Sequence, residues 1–421
     1  MEKKSLGIYI SPSEICISQV RIGADLKPDI EHLVKFPTGF AVREGMLRPL
    51  SLNSEFFDEK AAWVNTFIQE VKKVDWDYAP AVVTLSQQFA ILRYFVMPSM
   101  EKRFWSKSIP LESKKYIPIS FEEVIYDFNA VHLADPKKLG VLFGLTQRKS
   151  VEFILNTLKA AGLKLSAVET NSASLERLLA FADPKGHDSK GYVHFSGSSA
   201  IMLFSHGGFP VLYRETEVES AGTMTDRRRL DVKGAVQFVD RYVGGKDYST
   251  LALSGDGVDS WIPSIEKEAA PIAVQLWDAA KACSLKDNDA ASMFSVGAAL
   301  KSFVPGRLKL DISGISTAAM LEKQAQNYVL RVTAVLGGFL LLLSLMNEVR
   351  LLAVNSKISA LQSQVLNVPE LEGNDNDAIR AKIDVMNKNI KMFASLRSDA
   401  DSLAPEACRH SRPHNSRPLG D

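Results

Sequence analysis

Residues 191–210 read GYVHFSGSSAIMLFSHGGFP, two apolar runs joined through Gly197-Ser198-Ser199 and followed by a Gly207-Gly208 pair. A glycine-serine turn between two strands lets backbone N–H groups approach a ligand closely, which is the arrangement that cradles a phosphate. His194 stands just before the turn and could in principle serve as a general base. A histidine at a strand end also fits a plainer role, hydrogen-bonded to the backbone, and that is the expectation here. Whether the turn works on a phosphate or survives as architecture is the question the rest of the chain must answer.

Other chemistry-bearing residues are sparse. Cys16, Cys283 and Cys408 lie far apart and none forms a Cys-x-x-Cys pair, so neither a zinc site nor a disulfide framework is expected. Cys16 and Cys283 sit among apolar residues and read as small buried hydrophobes. His410 and His414 fall among Arg and Pro in a tail without apolar period, and no metal ligation is expected of them. The 421 residues carry a formal net charge of +1, which argues against a nucleic-acid protein, since phosphate-backbone binding needs a concentrated positive face. The one compact basic run, Arg227-Arg228-Arg229, has no interleaved aromatics and reads as a solvated loop or helix start.

Stepping outward from the turn, the elements that must position it form a pattern. LGIYI, EICISQVRIG and DIEHLVKFP predict a three-stranded meander from the N-terminus. The next stretch, EKAAWVNTFIQEVKKV, spaces Ala62, Val64, Phe67, Ile68, Val71 and Val74 as a helix. AVVTLS, AILRYFVMP, SFEEVIYDFNAVH and LGVLFGLTQ return to strands, and KSVEFILNTLKAAGL is a helix closed by Gly162. SAVETNSASLERLLAFA adds a short strand and a further helix. Near residue 185 the order restarts: a second meander at YVHFSGSSAIMLFS and FPVLYRETEVESAG, a helix at VKGAVQFVDRYVGG, a strand at TLALSGDG and a late helix at ASMFSVGAALKSFV. The repetition predicts a duplicated mixed α/β fold, with residues 1–184 as the first half and 185–310 as the second.

One segment cannot be soluble surface. VTAVLGGFLLLLSLM, residues 332–346, has no charge, and with Tyr328, Val329, Leu330 and Arg331 it reaches 19 residues. A bilayer needs about 20, and the Arg331 stem can reach the interface. Four consecutive leucines and no polar face favour a membrane span over a buried core helix. Lysines and arginines near the span tie; Lys301, Arg307 and Lys309 further upstream tilt the N-terminal side toward the cytoplasm. After a linker at 311–327 and the span at 328–346, residues 347–405 read as coiled-coil helices. Leu351, Val354, Ile358, Leu361 and Val365 form one seam, and Ile379, Ile383, Met386, Ile390 and Phe393 a second, around Pro369 and Gly373. A solitary amphipathic helix packed on a domain is the other reading of each seam. Residues 406–421 are expected to be disordered.

The order of elements resembles the actin-like (ribonuclease H-like) fold, and its details resemble the type IV pilus assembly PilM family. The resemblance rests on SKKYIPISFEEVIYDFNAV, residues 113–131, where a Tyr-Ile-Pro segment precedes a strand opening on paired acids. It continues through LFGLTQRKSVEFILNTLKAAGLKLSAVETNSASLERL and covers roughly residues 5–303. The span and coils resemble PilN, with GRLKLDIS, residues 306–313, where PilN carries a short apolar recognition segment. A PilM-like domain joined to a PilN-like segment resembles the layout of the secretion protein GspL. One departure stands out: about 75 residues after the span leave little room for the ferredoxin-like domain that usually closes PilN and GspL.

The resemblance implies where a nucleotide would bind. In the actin-like family two turns, each with an aspartate and a glycine, hold the phosphates and organise magnesium. The first turn here is GIYISPSE: Tyr9 replaces the aspartate, Ser11 the glycine, Pro12 removes a donor, and Ser13 follows. The second turn is the opening one, with His194 at the aspartate position and Gly197, Ser198 and Ser199 displaced by about one place. The adenosine-side loop is SGDG, with Gly255 and Asp256, followed by Trp261-Ile262-Pro263. With both metal-organising carboxylates replaced, Mg-ATP loses its usual charge partners. A degenerate cleft is expected, with no hydrolysis, no cofactor, no metal, and weak nucleotide binding at most.

The reading implied is a non-enzymatic scaffold of the bacterial inner membrane, single-pass, with a cytoplasmic N-terminal domain and a periplasmic C-terminal segment. Its partners would be the cytoplasmic assembly ATPase of a type IV pilus or type II secretion machine, the polytopic platform protein and a periplasmic coil-forming partner, with a homodimer also open. The alternative is a nucleotide-binding actin-like ATPase or membrane-linked filament protein, which would need working phosphate turns. A sugar-kinase relative fits less well, lacking a catalytic aspartate in the expected place.

Overall fold

Alternation of apolar residues builds the first sheet strand by strand. β1 (Lys4–Ile10) pairs antiparallel with β2 (Glu14–Ile22), Ile8 opposite Ile17, and β2 pairs with β3 (Pro28–Pro37). Two short helices follow, α1 (Asn53–Phe56) and α2 (Ala62–Lys72), before β4 (Pro80–Leu85) lies parallel to β1. β8 (Lys164–Thr170) completes a five-stranded sheet in the order β3-β2-β1-β4-β8. Between β4 and β8 the chain inserts a separate antiparallel sheet of order β5-β7-β6, made of β5 (Ala90–Pro98), β6 (Val124–His132) and β7 (Lys138–Gln147). Helix α3 (Lys102–Ser113) packs on one face of the insert, and α4 (Arg148–Ala160) returns to the main sheet.

The second half repeats the first. After α5 (Asn171–Ala182) come β9 (Lys190–Ser196), β10 (Ser199–His206), β11 (Phe209–Glu217), α6 (Val232–Val243), β12 (Thr250–Gly255), α7 (Ile262–Ala269), β13 (Ala273–Leu276), α8 (Ala279–Ala282) and α9 (Ala290–Ala299). The order β11-β10-β9-β12-β13 matches β3-β2-β1-β4-β8 position for position, including the two antiparallel and two parallel pairings. This is the duplicated actin-like arrangement.

The computed structural model describes residues 4–23, 28–41, 48–77, 79–218, 230–243, 248–304, 308–366 and 375–402. The Arg227–Arg229 run, Arg307, Pro369, Gly373, Cys408, the tail histidines and the 406–421 tail lie outside them. The chain divides into two units, Met1–Lys323 and Gln324–Asp421.

Within the first unit, one core sits under α2 and α4, where Trp63, Phe67, Val71, Ile154 and Leu158 meet the apolar side of β1 and β4. A second core lies between the halves and takes residues from both sheets and from α5, α8 and α9. A third lies under α6 and α7. Two glycines allow the central packing. A Cβ on Gly7 would stand 1.7 Å from the Ser295 carbonyl oxygen, and one on Gly297 would stand 2.2 Å from that of Ser174, so α9 lies directly on β1 and α5. Cys16 and Cys283 are both buried, and burial pushes each thiol up to about 12, which removes them from thiolate chemistry.

Helix α10 (Ile315–Leu366) begins in the first unit and continues into the second, which also holds α11 (Asn376–Ser402). Tyr328–Gln364 is long and apolar enough to cross a membrane, with a window of mean hydropathy 2.2 whose residues are not buried in protein. In the stretch expected as a linker, 311–327, Asp311 and Ile312 are bonded to β6 and β8 and helix α10 already begins at Ile315. Helix formers such as Ala318, Ala319, Leu321, Glu322 and Lys323 carry the helix back from the apolar run.

Candidate functional site

The phosphate-type turns lie at the β1–β2 and β9–β10 connections, and each is satisfied by its own neighbours. In the first, the Ser11 N–H donates to the Glu14 carbonyl at 3.0 Å, the Ser11 hydroxyl donates to the same oxygen at 2.9 Å, and the Glu14 N–H returns a bond to the hydroxyl at 3.0 Å. The Pro12 carbonyl accepts from the Thr38 hydroxyl, and that of Ser13 accepts from the Thr38 N–H. Tyr9 is buried, its ring 4.8 Å from that of Phe294 on α9, so it fills the space beneath the turn with packed aromatic surface.

The second turn is held in the same manner. Gly197 adopts φ +58°, the conformation that favours glycine, with open space around it. The Ser199 hydroxyl donates to the Ser196 carbonyl at 3.1 Å, and the Ser198 carbonyl accepts from the Val218 N–H at 2.8 Å. His194 is 5% exposed. Its Nε2 donates to the Asn288 carbonyl at 2.9 Å, which leaves Nδ1 to accept from the Ser254 hydroxyl at 2.8 Å. Burial lowers its pKa against the opposing pull of that carbonyl, so the ring is neutral with both nitrogens engaged. In the third loop, Gly255 at φ +101° lies against the Phe195 backbone, and Asp256 accepts from the Asn288 amide at 3.2 Å. Trp261 stacks on Phe195 at 5.2 Å.

Carboxylates are present in the cleft, but each is engaged with protein. Asp289 caps α9, accepting from the Ser292 N–H at 3.1 Å and hydroxyl at 2.8 Å, so a side-chain anion already occupies that helix N-terminus. Lys35 bridges from the first half to Asp289 at 3.0 Å and to Glu14 at 3.6 Å. Against the upward push of burial, Ser292 and Lys35 hold the Asp289 carboxyl below its ordinary range. Glu215 accepts from the Tyr213 hydroxyl at 3.1 Å, and that hydroxyl accepts from the Asn171 amide at 2.8 Å. Burial pushes the Glu215 carboxyl up. Among the described residues, no three His, Cys, Asp or Glu side chains are grouped to hold a metal ion.

Sequence reasoning placed Tyr9, Ser11, Ser13, His194, Gly197, Ser198, Ser199, Gly255 and Asp256 at the turns; it missed Lys35, Asn171, Tyr213, Glu215, Asn288 and Asp289. Asp289 carried a readable signal, an Asp just before an apolar helical run. The others come from β3, α5, β11 and the loop before α9 and had none. A cavity of about 380 Å³ adjoins the cleft, between β5, the start of α5, β11 and α6, with Arg93, Tyr94, Asn171, Tyr213, Arg214 and Phe238 among its walls.

A second feature lies on the far edge of the first sheet. Residues 308–313 form a strap between β8 and the inserted sheet. Leu308, Leu310 and Ile312 are buried in the first core. The Ile312 N–H donates to the Val168 carbonyl at 2.8 Å, and the Val168 N–H donates to Asp311 at 3.1 Å. Asn129 and Asp127 of β6 accept from the Lys309 and Asp311 N–H groups at 2.9 and 2.8 Å. The strap also touches a buried charge network. Glu169 takes two bonds from Arg177, at 2.6 and 2.7 Å, and one from Lys301 at 2.7 Å. Lys301 donates as well to the Leu310 carbonyl, and Arg177 to the Gly297 carbonyl at 2.8 Å. Burial alone would raise the Glu169 pKa, but the two cations hold it at about 2. The strap is thereby joined through side chains to α5 and α9, the helices beneath the cleft.

Residues 40–186 match the family model of the type IV pilus assembly protein PilM. The chain carries a PilM-like actin fold. Its structure is similar to the PilM-PilN type IV pilus biogenesis complex, with a TM-score of 0.50 at 14% identity, covering 72% of this chain and 99% of that one. The cytoplasmic domain of EpsL, an inner membrane component of the type II secretion system of Vibrio cholerae, gives 0.41 at 13% identity over 73% of this chain and 98% of its own. A Bacteroides thetaiotaomicron protein with an actin-like ATPase fold gives 0.35 at 12% identity, over 65% and 91%. No curated protein sequence matches the chain. The PilM-like range spans the inserted sheet, β8 and α5, and both phosphate-type turns fall outside it.

Proposed function

We propose that this chain is a non-enzymatic docking block of a type IV pilus or type II secretion assembly platform in a bacterial inner membrane. The observation that carries the reading is the self-satisfied cleft: the turns, His194 and the carboxylates that could meet Mg-ATP are bonded to protein. The residues present do not fit a magnesium–phosphate group, so nucleotide binding is weak at most and no step of chemistry is assigned.

The PilM-like range at 40–186 and the strap support the rest. The relative whose name includes PilN is a two-protein complex; here a PilN-like segment follows in the same chain and is seated on the PilM-like domain. Joining two modules in one chain replaces their encounter by an intramolecular one at high effective concentration. In this reading the first unit lies in the cytoplasm and α11 in the periplasm, with the lysine and arginine excess upstream of the span, Lys301, Arg307 and Lys309, on the cytoplasmic side. The cytoplasmic assembly ATPase and the polytopic platform protein would meet the first unit. The exposed seam Ile383, Met386, Ile390 and Phe393 suits a periplasmic coil-forming partner or a second copy.

The full chain, reconstituted in nanodiscs and mixed with the assembly ATPase of its own system, should co-elute with it whether or not nucleotide and magnesium are present. Failure to co-elute under any nucleotide condition, or co-elution only with Mg-ATP bound to this chain, contradicts the reading.

A further inference from the structure

The inserted sheet carries a helix face that nothing in the cleft or strap explains. α3 (Lys102–Ser113) buries Ile109 and Ser113, with Trp105 partly covered, against the insert's own core. At about 100° per residue, Arg103, Phe104, Lys107, Leu111 and Lys114 fall on the opposite side. Phe104 is 46% exposed and Leu111 69%. Arg103, Lys107, Lys114 and Lys115 are exposed around them. The acids Glu101 and Glu112 lie on the flank, paired with Arg103 at 2.8 Å and Lys115 at 2.9 Å. Two large apolar side chains amid cations, on a helix whose other side is fixed to a sheet, give the surface that anionic lipid recognises: apolar groups enter the headgroup boundary while lysines meet lipid phosphates.

We infer that this face of α3 rests on the anionic cytoplasmic surface of the membrane that α10 crosses. The inference relies on that crossing. The span in the same chain favours lipid over a free acidic protein as the occupant: a tethered domain meets the membrane surface at high effective concentration, whereas a free protein must be encountered from solution.

Amine acetylation of the full chain, read lysine by lysine by mass spectrometry, tests this in nanodiscs of neutral phosphatidylcholine and of phosphatidylcholine with phosphatidylglycerol. Lys107 and Lys114 should react about five-fold more slowly on the anionic discs, the effect of one basic residue near such a surface. The protection should disappear in high salt, and Lys159 and Lys267, on other helices, should be unchanged. The exposed substitutions Lys107→Glu and Leu111→Ser should weaken the protection of Lys114 without loss of fold. Equal rates on both lipids, or protection of α3 that appears only on adding another protein, overturns the proposal while leaving the span standing. A chain that leaves the discs in high salt contradicts the span itself and the proposal with it.

Discussion

The two halves share one strand order and differ in what was added to it. The first half inserts a three-stranded sheet and α3 ahead of α4 between its fourth and fifth strands, whereas a short 3-10 turn and α7 bridge those strands in the second. The edge strand β8 of the first half is covered by the strap, while its counterpart β13 is short and largely exposed, with Leu276 52% accessible. A buried ion network, Glu169 with Arg177 and Lys301, underlies the first edge. At the phosphate-type turns the two halves behave alike, each turn bonded to its own neighbours. The halves differ most where the first holds the strap, in keeping with the docking role proposed above.

The largest expected effect comes from the network. Arg177→Met should leave Glu169 buried and under-compensated and cost about 3–5 kcal/mol in urea denaturation followed by tryptophan fluorescence. A loss below 1 kcal/mol would mean that the network does not hold the halves to the strap. Acid tests the same group. Glu169 is held at about 2 from an ordinary value of 4.5. Its contribution is complete above about pH 4.5, is lost as pH falls from there toward 2, and amounts to about 3 kcal/mol. Arg177→Met should flatten that part of the pH–stability curve. In the linker between the halves the sign reverses. Burial lowers the His187 pKa, but Glu176, 2.9 Å away, raises it above 6.5 overall, so its share is present below pH 6.5 and lost as pH rises through the raised value.

The edges offer the next contrast. Leu310→Ala in the strap should cost about 2–4 kcal/mol, whereas Leu276→Ala on β13 should stay within about 0.5 kcal/mol. Equal losses by thermal denaturation would erase the distinction drawn between the edges.

Much of this was legible in the sequence for simple reasons. The meanders show because half-buried strands alternate, and the restart near residue 185 shows because the same alternation returns. α3 was missed: KRFWSKSIPLES places Pro110 inside it and exposes Phe104 and Leu111, so its apolar residues do not share one face. β13 was missed because four residues carry too little period to read. At the site, the altered residues Tyr9 and His194 were readable one at a time. The partners that engage the cleft were not, because Lys35, Asn171, Glu215 and Asp289 come from four elements that meet only in the fold. The strap was visible as a short apolar segment, and its place between β8 and β6 depends on long-range pairing that local pattern does not encode.

The most direct measurement is magnesium-dependent ATP binding and turnover by the purified full chain in detergent, by calorimetry and phosphate release. No low-micromolar binding is expected, and no turnover above that of a His194→Gln, Ser199→Ala variant. Low-micromolar binding with magnesium, or turnover that this cleft variant abolishes, would contradict the proposed docking role.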